Sequence, residues 1–420
     1  MPTSPSQLDQ YQAVRTFSEK ICEPLVPEDY VIQSMPDVSP AKWHLAHTSW
    51  FFETFLLKPH LPGYQSIHPQ YDFLFNSYYN SIGERHCRVS RGLLSRPTVE
   101  ETYAYRTYVD AHMTRLLTEA DGEKTTILEP LLTLGLHHEQ QHQELMVTDI
   151  KHVFFENPLC PVYRPRRDTS MAAVPALEWI EFEEGVREIG WDAAGFAFDN
   201  ETPRHKEYVP RFALGSRLVT NGEYLEFIRD GGYAKPEFWL SEGWGVVQKQ
   251  GWQAPLCWWD RKGEWQEFTL AGMRPLNLGA PVCHVSLFEA DAYARWASAR
   301  LATEAEWETA SESAPLCGNF ADSGRLHPAP LNANDAEPGR LHQMFGDVWE
   351  WTRSQYTPYP GYAPPPGALG EYNGKFMCNQ FVLRGGSCAT SHSHMRPTYR
   401  NFFPPDARWQ FTGIRLAKDL

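Results

Sequence analysis

Apolar residues recur at helical spacing through the first 156 residues, and that period fades in the rest of the chain. Leu8, Tyr11, Val14, Phe17 and Ile21 line one side of a predicted helix over 6–25. Ser39 and Pro40 suit an N-cap and a first helical position, so a second helix is expected from there to about Lys58. A third is expected from Thr98 to about Leu117, and a fourth over 125–156, a run with no Gly after Gly135 and no Pro after Pro130. Together they predict an N-terminal four-helix bundle, residues 1–157, whose core is apolar apart from its histidines. Residues 59–97, between the second and third helices, are aromatic and irregular, and so long an irregular segment in a bundle points to function.

Residues 158–176 are rich in Pro and Arg and read as a linker. Beyond them, over 177–420, Gly and Pro break the pattern often, and thirteen of the fifteen tryptophans fall there. Helical spacing returns only over 287–300 and, more briefly, over 303–310, so this half is expected to hold short strands and long loops. At 420 residues, 42% hydrophobic and 21% charged, the chain is globular and long enough for two domains. A formal charge of −14 argues against nucleic acid or an anionic membrane as the main partner. No apolar stretch approaches a membrane span, and the N-terminus shows no secretory pattern. Eight scattered cysteines without a Cys-x-x-Cys fit reduced thiols, and a cytoplasmic location is expected.

The candidate chemistry sits in the fourth helix, at Leu136-His137-His138-Glu139-Gln140-Gln141-His142. His138 and His142 stand one turn apart, about 5–6 Å between Cβ atoms, a spacing that lets two imidazoles close on one metal ion. Gln141 can look into the same site, whereas His137 is turned about 100° away. His44 and His47 share the second helix, and histidines on two helices point to a metal site in the bundle core. The same letters also spell His-Glu-x-x-His, the zinc-protease signature, with Glu139 as general base. That reading needs a third ligand, and Asp149, His152 and Glu156 continue the same straight helix with no turn to bring them back to the ion. Replacing Glu139 is accordingly expected to do little.

Four later stretches are Arg300-Leu301-Ala302-Thr303-Glu304-Ala305-Glu306-Trp307-Glu308, Gly346-Asp347-Val348-Trp349-Glu350-Trp351-Thr352, Arg384-Gly385-Gly386-Ser387-Cys388 and Gly413-Ile414-Arg415-Leu416-Ala417. In this order they resemble the formylglycine-generating-enzyme-like domain, a variant of the C-type-lectin-like fold. Formylglycine-generating enzymes carry a cysteine pair shortly after the Gly-Gly-Ser turn, and here Cys388 stands alone, so their oxidase chemistry is not expected. The N-terminal half resembles a DinB-like bundle. The combination resembles the ergothioneine-biosynthesis sulfoxide synthases, on Trp43-His44-Leu45-Ala46-His47, His138-Glu139-Gln140-Gln141-His142 and Tyr399-Arg400-Asn401-Phe402-Phe403-Pro404-Pro405-Asp406. The fold class implied is α+β. Two rivals remain: a zinc hydrolase, and a non-catalytic binding module on a lectin-like scaffold.

The resemblance implies a mononuclear iron(II) held by His47, His138 and His142. It implies hercynine, O2 and either cysteine or γ-glutamylcysteine as substrates, with the sulfur joined to the imidazole C2 of hercynine and oxygenated to a sulfoxide. Gln141 and Asn401 are implied in the hercynine pocket, and Phe402 and Phe403 are candidate aromatic faces for its trimethylammonium group. A branch of the family that uses γ-glutamylcysteine has an Asp where this chain has Phe403, which favours free cysteine here. Arg85 and Arg88 are the candidates for the donor's carboxylate. The catalytic tyrosine is expected from the pair Tyr78-Tyr79, one ring facing the metal and the other packing, with Tyr372 as the alternative.

Overall fold

The computed structural model describes residues 6–166 and 173–420, so part of the expected linker, 167–172, lies outside the described residues. The chain forms two compact units, Met1–Tyr163 with Pro366–Tyr372, and Arg164–Pro365 with Asn373–Leu420. The segment Pro366–Tyr372 thus joins the helical unit, although in sequence it lies inside the C-terminal half.

The first unit is built on α1 (Gln7–Cys22), α2 (Ala41–Phe52), α5 (Val99–Glu119) and α6 (Gly122–Glu156), with the short α3 (Lys58–His60) and α4 (Tyr71–Phe75) between α2 and α5. Capping explains where most of these start. Ser6 with Asp9, and Thr98 with Glu101, close reciprocal capping boxes, and the Asp121 side chain accepts from the Lys124 N–H. The expected cap at Ser39 is a correction. Pro40 is the N-cap of α2 and makes no side-chain cap bond, while the Ser39 N–H donates to Asp149 and its hydroxyl accepts from Arg91. All twelve residues of α2 are buried, so no polar face was there to reveal its amphipathic period. Beyond Phe52 the helix widens into a π turn, Glu53–Leu57, whose buried Glu53 carboxylate accepts from the hydroxyls of Tyr105 and Tyr64 at 2.5 and 2.6 Å.

The bundle interior is not otherwise apolar, a second correction. Arg15 of α1, Arg106 of α5 and Glu139 of α6 meet inside it, with Ser18, Thr48 and Ser49 among their partners. Residues 59–97 are less irregular than expected, since α4 and a 3-10 stretch, Arg88–Leu93, fold within them.

In the second unit one four-stranded sheet runs Trp179–Phe182, Phe212–Gly215, Leu416–Asp419, Arg300–Leu301 in spatial order, all antiparallel. The last strand of the chain therefore lies inside this sheet, with Ala417 opposite Leu214. A second sheet runs Asn401–Phe403, Phe381–Arg384, Trp349–Gln355, Thr412–Gly413, the final pair parallel. The four sequence motifs of this half are one another's partners. Glu350 accepts from the Trp307 indole at 2.7 Å and from Arg415 at 2.8 Å, and Arg384 donates to Glu308 at 2.8 Å. They are a buried scaffold of ion pairs. Helices Leu287–Trp296 and Glu304–Ser311 stand where helical spacing placed them, the second capped by Thr303 and Glu306. Two more, Asn221–Arg229 and Ser241–Gln250, were not expected. The first carries a legible capping box, Thr220 with Glu223, while Gly243 and Gly245 disguise the second.

One residue governs how closely α6 approaches α2. A Cβ on Gly135 would stand 2.6 Å from Cε1 of Phe52 and 3.2 Å from Cε1 of Phe51, so only hydrogen fits between the helices there. The Phe52 ring is itself held edge-on by Tyr11 at 5.0 Å. Gly135→Ala gains about 1 kcal/mol of helix propensity but incurs an overpacking cost of about 1–3 kcal/mol. The expected outcome is a lower Tm and weaker metal retention, checked by calorimetry and metal analysis; an unchanged or raised Tm with full metal retention contradicts it.

Candidate metal centre

Helix α2 carries Trp43 and His44, adjacent in sequence, and His47 one turn later, and α6 presents His138 and His142 to it. The ligand nitrogens of His47, His138 and His142 all lie within 4.8 Å of one another, and this is the one such cluster among the described residues. Each ring is oriented by its surroundings. The Nδ1–H of His47 donates to the Phe75 carbonyl at 2.5 Å, and the Leu74 carbonyl takes the Trp43 indole N–H at 3.1 Å. Both acceptors sit at the end of the single turn α4, where helix carbonyls lack intrahelical partners. His47 is stacked between the indoles of Trp43 and Trp50, at 4.6 and 5.5 Å, and His138 stacks on Phe51 at 4.4 Å.

The donor set fits a metal. Burial holds His47 and His142 well below the ordinary histidine value, neighbouring imidazoles adding to it, and lowers His138 to about 3. All three are therefore neutral at pH 7, as ligands must be. The Nε2 atoms of His47 and His138 are 3.2 Å apart. Two nitrogens each roughly 2.1 Å from one ion at a right angle lie about 3.0 Å apart. No carboxylate belongs to the cluster.

Glu139, next in sequence to His138, is turned about 100° from it, toward α1 and α5. It is fully buried and accepts from Arg15 at 2.9 Å, Arg106 at 2.7 Å and Ser18 at 2.6 Å. Against the cost of burial, these two guanidiniums and the Ser18 hydroxyl hold its carboxyl at about 2. Such a group has no basicity for a protease general base and does not face the histidines, which removes the zinc-hydrolase reading. The expectation that its replacement does little is also overturned.

Around the metal cluster lies a cationic corner. Arg88 donates to the Tyr78 hydroxyl at 2.8 Å and to the Asp37 carbonyl, and Arg85 donates to the Ser77 carbonyl with its guanidinium 5.6 Å from the Tyr78 ring centroid. Arg91, not singled out from the sequence, is buried, 3.3 Å from the Trp43 ring centroid, with only the Ser39 and Ser77 hydroxyls as hydrogen-bond partners. Burial lowers it to about 9. Among the described residues none of the three forms an ion pair with a carboxylate; the three-residue spacing of Arg85, Arg88 and Arg91 was the available signal. The two tyrosines diverge. Tyr79 packs on Trp50, Phe51 and Phe55, whereas Tyr78 stands by Arg88 and lies 5.9 Å from the Tyr372 ring. Tyr372 is brought there by Glu371, whose carboxylate accepts the N–H groups of Asn80 and Ser81 at 3.0 Å each.

Gln141 is half-buried on α6. Asn401, Phe402 and Phe403 belong to the second unit, on a strand paired with Phe381–Arg384. There Phe402 stacks on Tyr356 at 4.1 Å, Phe403 meets Trp409 edge-on at 5.5 Å, and the Asn401 side chain accepts from the Phe402 N–H. All eight cysteines are unbridged, and no helix among the described residues is long and apolar enough to cross a membrane.

Residues 10–146 match the DinB superfamily, and 168–335 with 316–420 match the sulfatase-modifying factor enzyme 1-like domain. The hercynine oxygenase of Mycobacterium tuberculosis is 34% identical over 92% of this chain and 92% of its own length. That of Mycolicibacterium smegmatis is 33% identical over 92% and 93%. The formylglycine-generating enzyme of Streptomyces coelicolor is 29% identical over 62% of this chain and 92% of its own.

Glu139→Gln removes the carboxylate that Arg15 and Arg106 share but leaves each its second partner, Asp110 at 2.7 Å and Glu19 at 3.1 Å, and is expected to destabilise the fold by about 1–3 kcal/mol, read by urea denaturation. Because its folded value is depressed, the carboxylate's contribution is present above its unfolded value and lost as pH falls from about 4.3 toward 2. The wild-type stability curve should drop through that window and the variant's should be flatter there.

Proposed function

The chain belongs to the hercynine oxygenase family, and on that premise we propose that it is an iron(II)- and O2-dependent oxygenase that joins the sulfur of cysteine to the imidazole C2 of hercynine and leaves a sulfoxide. As an oxygenase with a role in ergothioneine biosynthesis it is not a bare binding module. The observation that carries the reading is the convergence of His47, His138 and His142, three neutral imidazoles on two helices.

Iron(II) held by His47, His138 and His142 would supply the O2 activation. The rest is the work of this chain's side chains. The Phe75 carbonyl and the two indoles hold the His47 ring at a fixed angle and keep water from that face. Arg85, Arg88 and Arg91 offer guanidinium charge without an internal carboxylate, which suits the carboxylate of an amino-acid thiol. Gln141 in the helical unit is a proposed hercynine-binding residue; separately, in the second unit, Asn401 is another, and Phe402 and Phe403 are candidate aromatic faces for a trimethylammonium group. Tyr78, whose hydroxyl oxygen is fixed by Arg88, serves as the acid that delivers a proton during C–S bond formation, and Tyr79 packs against Phe55.

His138→Ala should lose stoichiometric iron and turnover while its circular dichroism stays that of the wild type; a variant that retains both iron and activity sinks the metal assignment. With Phe403 in place of an acidic side chain, kcat/KM for cysteine should exceed that for γ-glutamylcysteine by about tenfold or more, the worth of one lost charge-assisted bond. A preference for γ-glutamylcysteine in direct competition reverses the donor assignment.

Tyr78→Phe should leave KM for both substrates nearly unchanged and divert turnover to cysteine sulfinic acid, quantified by chromatography of the products. Sulfoxide formation at the wild-type rate in Tyr78→Phe, with diversion in Tyr372→Phe, moves the acid to Tyr372.

A further inference from the structure

His44 and Asp149 lie outside the metal cluster, and the function proposed above does not use them. His44 stands one turn before His47 on α2, and Asp149 lies two turns after His142 on α6. Both are buried, 3% and 4% exposed. Asp149 Oδ2 accepts the Ser39 N–H at 2.8 Å and lies 3.0 Å from His44 Nε2. On the other side of the ring, His44 Nδ1 lies 2.9 Å from His142 Nδ1.

The proton positions follow in order. A carboxylate only accepts, so His44 Nε2 carries its proton toward Asp149. In the neutral ring that is the single N–H, so Nδ1 of neutral His44 is an acceptor. The hydrogen bond to His142 then requires the N–H to be on His142 Nδ1, and Nε2 of His142 is left with its lone pair. From this chain of three groups we infer that Asp149 and His44 are positioning residues that lock His142 in its Nδ1–H tautomer, so that Nε2 is presented to the metal. His47 reaches the same tautomer by a different means, the Phe75 carbonyl. The inference rests on the metal-centre reading.

Groups hydrogen-bonded to the far nitrogen of a metal-bound histidine contribute about 10–100-fold to metal affinity. In the full chain, His44→Phe keeps a ring but removes the acceptor, while His44→Asn restores an oxygen near the place of Nδ1. Anaerobic Co(II) titration, followed by visible absorption, should show affinity falling about 10–100-fold in His44→Phe and recovering most of that loss in His44→Asn. The spectrum of the bound ion should keep its wild-type shape in both, because the ligand set is unchanged.

Affinity within twofold of wild type in His44→Phe overturns the relay, as does an equal loss in both variants. A spectrum showing one fewer nitrogen ligand in His44→Phe makes His44 a direct ligand and also overturns it. Histidine-selective 15N NMR of the metal-free wild type gives a reading independent of any variant. His142 should appear as the Nδ1–H tautomer, and finding Nε2–H refutes the relay even if the variants fail to fold. A wild-type chain that takes up no Co(II) refutes the metal centre itself, and the relay falls with it.

Discussion

Helix α6 is held from two sides at once, and the rest of the bundle depends on that. At positions 138 and 139, consecutive and so about 100° apart around the helix, it turns an imidazole toward α2 and a carboxylate toward α1 and α5. Glu139 is gripped by two buried arginines and a serine, and the arginines reach on to Asp110 and Glu19, so the carboxylate is the shared centre of a network that ties α6 to α1 and α5. Gly135, one turn earlier, lets the same helix close on Phe51 and Phe52 of α2. The triad fixes the rotation of α6 and the glycine fixes its distance. With both set, the histidines have little freedom left.

The surroundings of the three histidines divide into two kinds of support. Aromatic rings fix planes: Trp43 and Trp50 for His47, Phe51 for His138. Hydrogen bonds fix which nitrogen faces inward, through the Phe75 carbonyl for His47 and through His44 for His142. His138 Nδ1 has no hydrogen-bond partner, so its ring is held by stacking alone. Neutral imidazoles in a buried, aromatic shell leave the charge of a bound cation uncompensated, and the buried Arg91 guanidinium has no carboxylate partner among the described residues. Both features fit a substrate that brings a thiolate and a carboxylate.

The second unit shows the reverse economy. Its sheets are short, and its order comes from buried arginine–carboxylate pairs, Arg415 with Glu350 and Arg384 with Glu304 and Glu308. These join the motifs that make the domain recognisable. That explains why the motifs describe a scaffold and say little about chemistry, and why the absence of a second cysteine after Gly386 leaves the fold intact.

Much of this was legible locally. Helix periods, capping pairs such as Thr98 with Glu101, and the i, i+4 spacing of His138 and His142 depend on residues a turn apart, so the bundle and the common face of two of the three clustered histidines were readable from the chain alone. The third histidine of the cluster, His47, stood out only because of its neighbours on α2 and the family its motif resembles. What the sequence could not determine was direction over long separations. Glu139 reads as a catalytic base until Arg15 and Arg106, 124 and 33 positions away, are seen to enclose it. Asp149 looked like a failed ligand and is instead hydrogen-bonded to His44, 105 positions distant. Tyr372 reaches Tyr78 across most of the chain. Periodicity specifies which face of a helix is buried, but only packing decides what each buried polar group meets, because burial without a partner costs more than the fold can spare.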